Sequence, residues 1–491
     1  MATFLSNLTD QSSDAVRQAT AYVDDLTTPT LRLGVTGLAR AGKTVFITAL
    51  VGRLTAGGST PAFDALRLPG MRAFLEPQPD DDVPRFAYEE HLATLTARPP
   101  TWPESTRHIS QLRVTLEWDA QDWLRRAAGV QRRLHIDIID YPGEWLADIG
   151  LLEQDFASWA GHVSQLAHSA PAGPRRDAWL AFQSGLAGRP AAGRAEQTCL
   201  EGARLFSDYM AEQKEAGRLA PSAGPGRFLM PGDYQGSPLL TFFPLVDGDR
   251  DLQALLTRRY ESYKAAIVRP FFEKHFSRID RQIVLVDVLG ALNLGPAAVV
   301  EMENALDRAL RAFRPGRESW LGKLLGQRLN RIMFAATKAD HLHRRNHPRL
   351  QAILEKVVDR AQGQAAAAGA RLAFGAIAAL RSTEDVERRG DDGAPPLDCV
   401  RGIPLAGQQV GGKTLSASEP LTVFPGDLPA DPLDAFDAEI VVPGSLSFVR
   451  FRPRLDDAPV AATDDGPARR VSWPHVGLER VVAFLIGDHL A

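Results

Sequence analysis

The stretch "GLARAGKT", residues 37–44, follows an alternating apolar run, "TLRLGV" (30–35), and precedes "VFITALVGRL" (45–54). Its pattern is Gly-x-x-x-x-Gly-Lys-Thr. A loop of this kind cradles phosphate: its glycines take backbone torsions that a side chain forbids, and successive N–H groups turn toward anionic oxygens. The helix that follows adds orphan N–H groups and the positive end of its dipole. Leu31, Leu33 and Val35 alternate as a strand requires, and Val45, Ile47, Leu50 and Val51 fit a buried helix. The loop therefore has the strand before it and the helix after it that give the pattern meaning. Phosphate contacts are expected from Gly37, Ala39, Arg40, Ala41, Gly42, Lys43, Thr44 and Val45. Among them, Lys43 reaches the β- and γ-phosphates, and the Thr44 hydroxyl is a ligand for Mg²⁺. The alternative is a chance glycine loop in an α/β protein.

The chain has 491 residues, 44% hydrophobic and 24% charged, with a net charge of −4. That length holds two or more packed units, or one domain with large insertions. The composition is that of a soluble globular protein. The charge offers no footing for nucleic acid. Two cysteines, Cys199 and Cys399, argue against a disulfide scaffold and fit a reducing compartment. The N-terminus lacks the basic and apolar regions of a signal peptide, and no run of ~18 apolar residues occurs. A cytoplasmic protein is expected, with a peripheral place at the inner membrane left open.

Outward from the loop, residues 12–26 read as a helix with one apolar face, and 57–108 as a long, irregular, Pro- and Asp-rich excursion. "QLRVTLEW" (111–118) and "RLHIDIIDYPG" (133–143) read as strands. From 151 to about 280 the pattern turns to helices broken by Gly/Pro-rich linkers. Strand and helix then alternate through "QIVLVDV" (282–288), a helix at 296–313, "RIMFAATKAD" (331–340), a helix at 348–361 and "RLAFGAIAAL" (371–380). The tail offers β-like pieces, "AEIVVP" and "LSFVRFRP", and a last helix carrying Leu478, Val481, Val482 and Leu485. The expected fold class is α/β: a P-loop NTPase, GTPase-like, with a mostly parallel sheet flanked by helices, a large helical insertion and a C-terminal α+β extension. The expected divisions are 1–150, 151–280, 281–390 and 391–491.

A phosphate loop alone does not say which nucleotide is bound. "DYPG" (140–143) ends an apolar strand, where Asp140 holds Mg²⁺ through water and the Gly143 N–H meets the γ-phosphate. A second Asp-x-x-Gly, "DVLG" (287–290), competes with it. Chain order favours Asp140. A GTPase-type sheet needs another strand between this element and the base-recognition loop. "QIVLVDV" supplies that strand only if "DYPG" is chosen, and Asp287 is then a strand-end structural residue. "TKAD" (337–340) matches [Asn/Thr]-Lys-x-Asp. The Asp340 carboxylate can accept from N1–H and N2–H₂ of guanine, a donor pair adenine lacks, and the stem of Lys338 can lie along the base. Thr337 opens the motif. The bland alternative for Asp340 is a helix cap. "AAL" (378–380) stands where a Ser-Ala-Lys-like turn would bring a backbone N–H, here that of Ala379, to guanine O6, but the serine is absent.

These elements in this order resemble the translation-factor-like branch of P-loop GTPases. More narrowly, the chain resembles the YcjX family of bacterial stress-associated P-loop proteins. The resemblance rests on "GLARAGKT", "IIDYPGEWL", "PGRFLMPGDYQGSPLLTFFPL", "DRQIVLVDVL", "TKADHL" and "FLIGDHL", and it spans nearly the whole chain. The family is often labelled an ATPase and its name implies no settled cellular role, but "TKAD" favours guanine, so GTP or GDP with Mg²⁺ are the expected ligands of a slow hydrolase, a switch or mechanochemical protein whose link to the bacterial stress response comes from the resemblance. An ATPase of the same fold and a nucleotide-sensing scaffold are the alternatives. Guanine nucleotide is the expected partner. A second copy joined through the nucleotide face and a membrane-associated protein are further expected partners.

Glu144 stands where many GTPases carry a water-orienting Gln, although a first-turn Glu also suits a helix dipole. Arg40 matches the slot of the arginine that guanylate-binding proteins and atlastins swing onto the phosphates, or it is an ordinary loop arginine. Arg227, in the helical insertion, is a second candidate finger by analogy with heterotrimeric G proteins. Thr106 is placed to close over Mg²⁺, with Thr101 and Ser105 as rivals. The histidines of "HLHRRNH" (341–347) lack the spacing of a zinc site.

Overall fold

Seven strands form the central sheet: β1 (Thr30–Gly37), β2 (Arg72–Glu76), β3 (Ser110–Asp119), β4 (Gln131–Asp140), β5 (Arg281–Val286), β6 (Arg331–Ala336) and β7 (Arg371–Ala376). Their spatial order is β2-β3-β4-β1-β5-β6-β7. All neighbours are parallel except β2 with β3 and β3 with β4. β5 and β6 are covered on both faces, which is why they read as nearly continuous apolar runs. The structure is a computed structural model describing residues 28–37, 41–55, 68–104, 108–120, 131–186, 193–215, 224–311, 329–367, 370–389, 396–410, 413–446, 448–455 and 473–490. The helix expected at 12–26 lies outside the described residues.

Helices flank the sheet. After β1 the chain enters α1 (Lys43–Thr55), and α2 (Tyr88–Thr96) precedes β3. After β4 come the short α3 (Glu144–Ile149) and an insertion of α4 (Phe156–Ser169), α5 (Pro174–Leu186), α6 (Ala195–Glu215) and α7 (Arg250–Tyr263). α8 (Arg269–Lys274) leads back into β5. Then follow α9 (Val288–Leu294), α10 (Pro296–Arg311), α11 (His347–Ala367) and the C-terminal α12 (Leu478–Leu485). One core joins β1, β3 and β4 to α1 and α12 through Leu33, Phe46, Leu50, Ile136, Val482 and Leu485. On the other side, Phe271, Val286, Leu292, Phe334 and Leu350 join the sheet to α8, α9 and α11. The insertion has an aromatic core of its own, with Trp159 and Tyr260 stacked at 5.1 Å and Phe206 and Phe242 edge-on to Trp159.

The architecture is the expected α/β one. Local details differ from the sequence reading. The 57–108 excursion contains β2 and α2. β2 is a five-residue edge strand, too short to announce itself by alternation. "AEIVVP" is a turn rather than a strand. The Asp437 carboxylate takes the Glu439 N–H at 2.8 Å, and the Asp437 carbonyl takes the Val441 N–H at 2.9 Å. The described part of "LSFVRFRP" makes only an isolated bridge between Phe451 and Pro404. The small three-stranded antiparallel sheet of the tail is instead built from β8 (Glu384–Arg388), β9 (Leu397–Gly402) and a strand at Leu421–Val423. Cys199 and Cys399 are separate, buried thiols.

Candidate functional site

β1, β4, β6 and β7 run parallel, so the segments after their C-terminal ends share one edge of the sheet. An open α/β sheet binds ligands at this edge. Gly37 ends β1, and a Cβ there would lie 2.7 Å from the Leu285 carbonyl oxygen of β5. Gly42 takes φ +83°, a left-handed torsion that glycine adopts without strain. Its carbonyl accepts the Phe46 N–H at 2.9 Å and so starts α1. Lys43 Nζ lies 3.5 Å from the Gly37 carbonyl oxygen. Thr44 and Ala41 are buried, and Val45 is half-buried on α1. Ala39 and Arg40 lie outside the described residues.

Asp140 ends β4 opposite Val35 of β1 and Ser110 of β3, and is 1% exposed. The Tyr141 N–H donates to the Val35 carbonyl at 3.3 Å, and the Tyr141 hydroxyl donates to Gln282 at 2.8 Å, which pins the exit from β4 against β1 and β5. Gly143 is buried and precedes α3. The Thr44 hydroxyl and the Asp140 carboxylate are hard oxygen donors of the kind Mg²⁺ takes, so the side-chain chemistry fits that ion. Thr106 and Ser105 lie outside the described residues, as does the side chain of Glu144. Thr101 is within hydrogen-bond reach of the Thr94 carbonyl of α2.

Asp287 has a structural partner set. Its carboxylate caps α9 by taking the Gly290 N–H at 3.0 Å and pairs with the Lys338 ammonium. Lys338 is the only non-glycine residue with positive φ among the described residues, at +60°. The turn it makes brings Asp340 inward, 3% exposed. Asp340 Oδ2 accepts both the N–H and the hydroxyl of Ser382, each at 2.7 Å. The Thr383 hydroxyl donates to the Asp340 carbonyl. The Thr337 N–H donates to the Val286 carbonyl at 2.9 Å, and the Ala339 N–H to the Ile377 carbonyl at 3.0 Å. The loop after β6 is thus laced to β5 and to the segment after β7.

Ser382, two residues beyond "AAL", is a serine that meets Asp340. β7 ends at Ala376, Ala378 pairs with Val476, and the chain then turns so that Ser382 meets Asp340. Ala379 is partly buried against the α1 side of the sheet. "RSTE" (381–384) carried this signal, but no short motif marks its distance from β7. The three histidines do not converge on one point. His347 Nε2 contacts the Ala339 carbonyl at 2.8 Å, while His343 lies by Asp398, whose carboxylate Arg345 bridges to Glu387.

Residues 31–490 match the model of the YcjX-like family, DUF463. The chain belongs to the YcjX-like family. It is similar to the Escherichia coli (strain K12) protein named "Ras-like GTPase YcjX", at 35% identity over 94% of this chain and 96% of that one. A Shewanella oneidensis protein of the same name is 32% identical, over 94% of each chain. No helix among the described residues of this YcjX-like chain is long and apolar enough to cross a membrane.

The helical insertion of this YcjX-like chain reaches the same edge through one turn, Gly226–Phe228. Arg227 is 8% exposed, and its guanidinium carbon lies 3.1 Å from the centroid of the Trp145 ring, two residues after Gly143. A Cβ at Gly232 would lie 3.7 Å from an Arg227 guanidinium nitrogen and 3.1 Å from His108, at the entry to β3. Arg227 therefore packs on the segment after β4, and Gly232 closes on the segment before β3.

Proposed function

We propose that the chain binds GTP with Mg²⁺ and slowly hydrolyses it to GDP and phosphate, acting as a nucleotide-dependent switch or mechanochemical protein in the bacterial stress response. The observation that carries this reading is the buried Asp340 carboxylate, held through Oδ2 by Ser382 on the sheet edge where the phosphate loop opens. A carboxylate held this way accepts from a ligand that presents two adjacent N–H donors, a pair that guanine offers and adenine lacks. Both relatives are named as Ras-like GTPases, which supports the same nucleotide.

In this reading Lys43 and the N–H groups of residues 37–45 hold the phosphates, and the Gly143 N–H meets the γ-phosphate. The Lys338 stem lies along the base, and the Ala379 N–H faces O6. Thr44, Asp140 and Thr106 hold Mg²⁺, which when bound neutralises charge between the β- and γ-phosphates. Glu144 orients the attacking water. Arg227, or Arg40 supplied in cis and directed inward when two nucleotide faces meet, adds positive charge where the transition state needs it. A cytoplasmic protein working with a membrane-associated partner at the inner membrane completes the proposal.

The test is binding of GTP, GDP and ATP to the full chain, followed by single-turnover hydrolysis for wild type, Lys43→Ala and Arg40→Ala across a dilution series. GTP should bind far better than ATP, and Lys43→Ala should lose triphosphate binding. Arg40→Ala should lower the rate at least about tenfold if that arginine is the finger. Equal affinity for ATP would point to the ATPase. Tight GTP binding without turnover would point to a sensing scaffold.

A further inference from the structure

Asp148 lies on α3, five residues after Gly143, yet the groups around its carboxylate come from the insertion. Oδ1 accepts the Gly226 N–H at 2.6 Å, and Oδ2 accepts the Tyr263 hydroxyl at 2.7 Å. The Arg227 N–H and guanidinium act on the same carboxylate. One side chain, 3% exposed, thus gathers two separate stretches of the insertion onto the helix that follows "DYPG". Packing alone does not call for this choice. A buried anion is costly unless donors surround it, and an apolar residue would fill the space without that cost.

We propose that Asp148 is a positioning residue: it holds the Arg227-bearing turn, together with Tyr263 of α7, on α3, so that the guanidinium stays on Trp145 beside the segment after Gly143. The proposal rests on the reading that Arg227 serves hydrolysis. The geometry also makes it sensitive to protons. Protonation removes the charge that the Arg227 N–H and guanidinium face, and it turns the Tyr263 bond around, the hydroxyl oxygen then accepting from the carboxyl. The charged and titratable groups facing Asp148 are Arg227, Tyr263 and, more weakly coupled, Tyr260. Burial, opposed by these donors and by Arg227, pushes the Asp148 carboxyl up to about 6.

The experiment is a cycle on the full chain: wild type, Asp148→Asn, Arg227→Ala and the double variant. GTP affinity and single-turnover hydrolysis are measured between pH 5 and 8, with amide exchange read at Gly226–Phe228. Asp148→Asn should slow hydrolysis at pH 8 by at least about tenfold and keep GTP affinity within about threefold, and the double variant should be no slower than Arg227→Ala. The wild-type rate should fall as pH drops through about 6, and Asp148→Asn should lack that step. Tyr263→Phe removes a bond that favours the anion, so the step should move to higher pH.

Losses that add in the double variant, or a normal rate in Asp148→Asn beside a slow Arg227→Ala, would overturn the positioning role. A normal rate in Arg227→Ala would instead overturn its part in hydrolysis. Exchange would then decide the positioning claim: faster exchange at Gly226–Phe228 in Asp148→Asn supports it, and unchanged protection removes it. If Asp148→Asn does not fold, the Tyr263→Phe midpoint decides, and an unshifted midpoint counts against the proposal.

Discussion

The Lys338 ammonium closes on the Asp287 carboxylate and ties the loop after β6 to the start of α9. Two sequence signals that looked like separate site elements thus form one structural unit. The left-handed torsion at Lys338 carries a cost of about 1 kcal/mol or more, and its ion pair with Asp287 is one of the contacts holding the turn. The turn in turn aims Asp340 at Ser382.

Asp140 and Asp287 should therefore behave differently when truncated. Asp287→Ala should cost about 1 kcal/mol or more of stability, from the lost cap and ion pair, and leave Mg²⁺ dependence of GTP binding in place. Asp140→Ala should abolish that dependence with little change in the melt. The checks are nucleotide titrations with and without Mg²⁺, beside thermal unfolding. Loss of the metal response in Asp287→Ala alone would reverse the assignment.

Ser382 should matter to the base and not to the phosphates. Ser382→Ala removes one of two bonds to Oδ2 and leaves the backbone N–H, so GTP affinity should fall roughly tenfold, about 1.4 kcal/mol. Asp340→Asn presents a donor to the base and should favour xanthine nucleotide, which offers an acceptor in its place. Competition titrations with GTP, XTP and ATP check both. A Ser382→Ala protein that binds GTP as wild type does would mean that Asp340 needs no support from that hydroxyl.

The pH dependence of stability should carry the mark of Asp148. Its pKa is raised on folding from 3.8 to about 6, so the native state binds this proton more tightly than the unfolded chain. The stabilisation from the protonated form is fully present below about 3.8 and is lost as pH rises through about 6. The loss is about 3 kcal/mol. Asp148→Asn does not titrate, so its stability relative to wild type should improve between pH 4 and 7.5. Denaturant midpoints for both proteins across that range test this. A constant difference would show that the carboxyl is not raised.

The strands and helices that the sequence made legible are those with strong periods or long apolar runs, such as β4, β5 and α11. β2 and the turn at residues 437–441 were not legible. The first is set by its pairing with β3, and the second by a side-chain cap that competes with strand hydrogen bonding.

The contiguous elements could be read directly. "GLARAGKT", "DYPG" and "TKAD" would act through backbone torsions and side chains a few residues apart, so the spacing of residue types is enough to propose them. Their order along the chain also chose between the two Asp-x-x-Gly candidates. Partnerships across long stretches of chain could not be read this way. Ser382 reaches Asp340 over 42 residues, and Gly226 reaches Asp148 over 78. Neither pair is marked by a pattern, because a hydrogen bond depends on atoms meeting within about 3 Å. Only the packing of the sheet and insertion brings those atoms together.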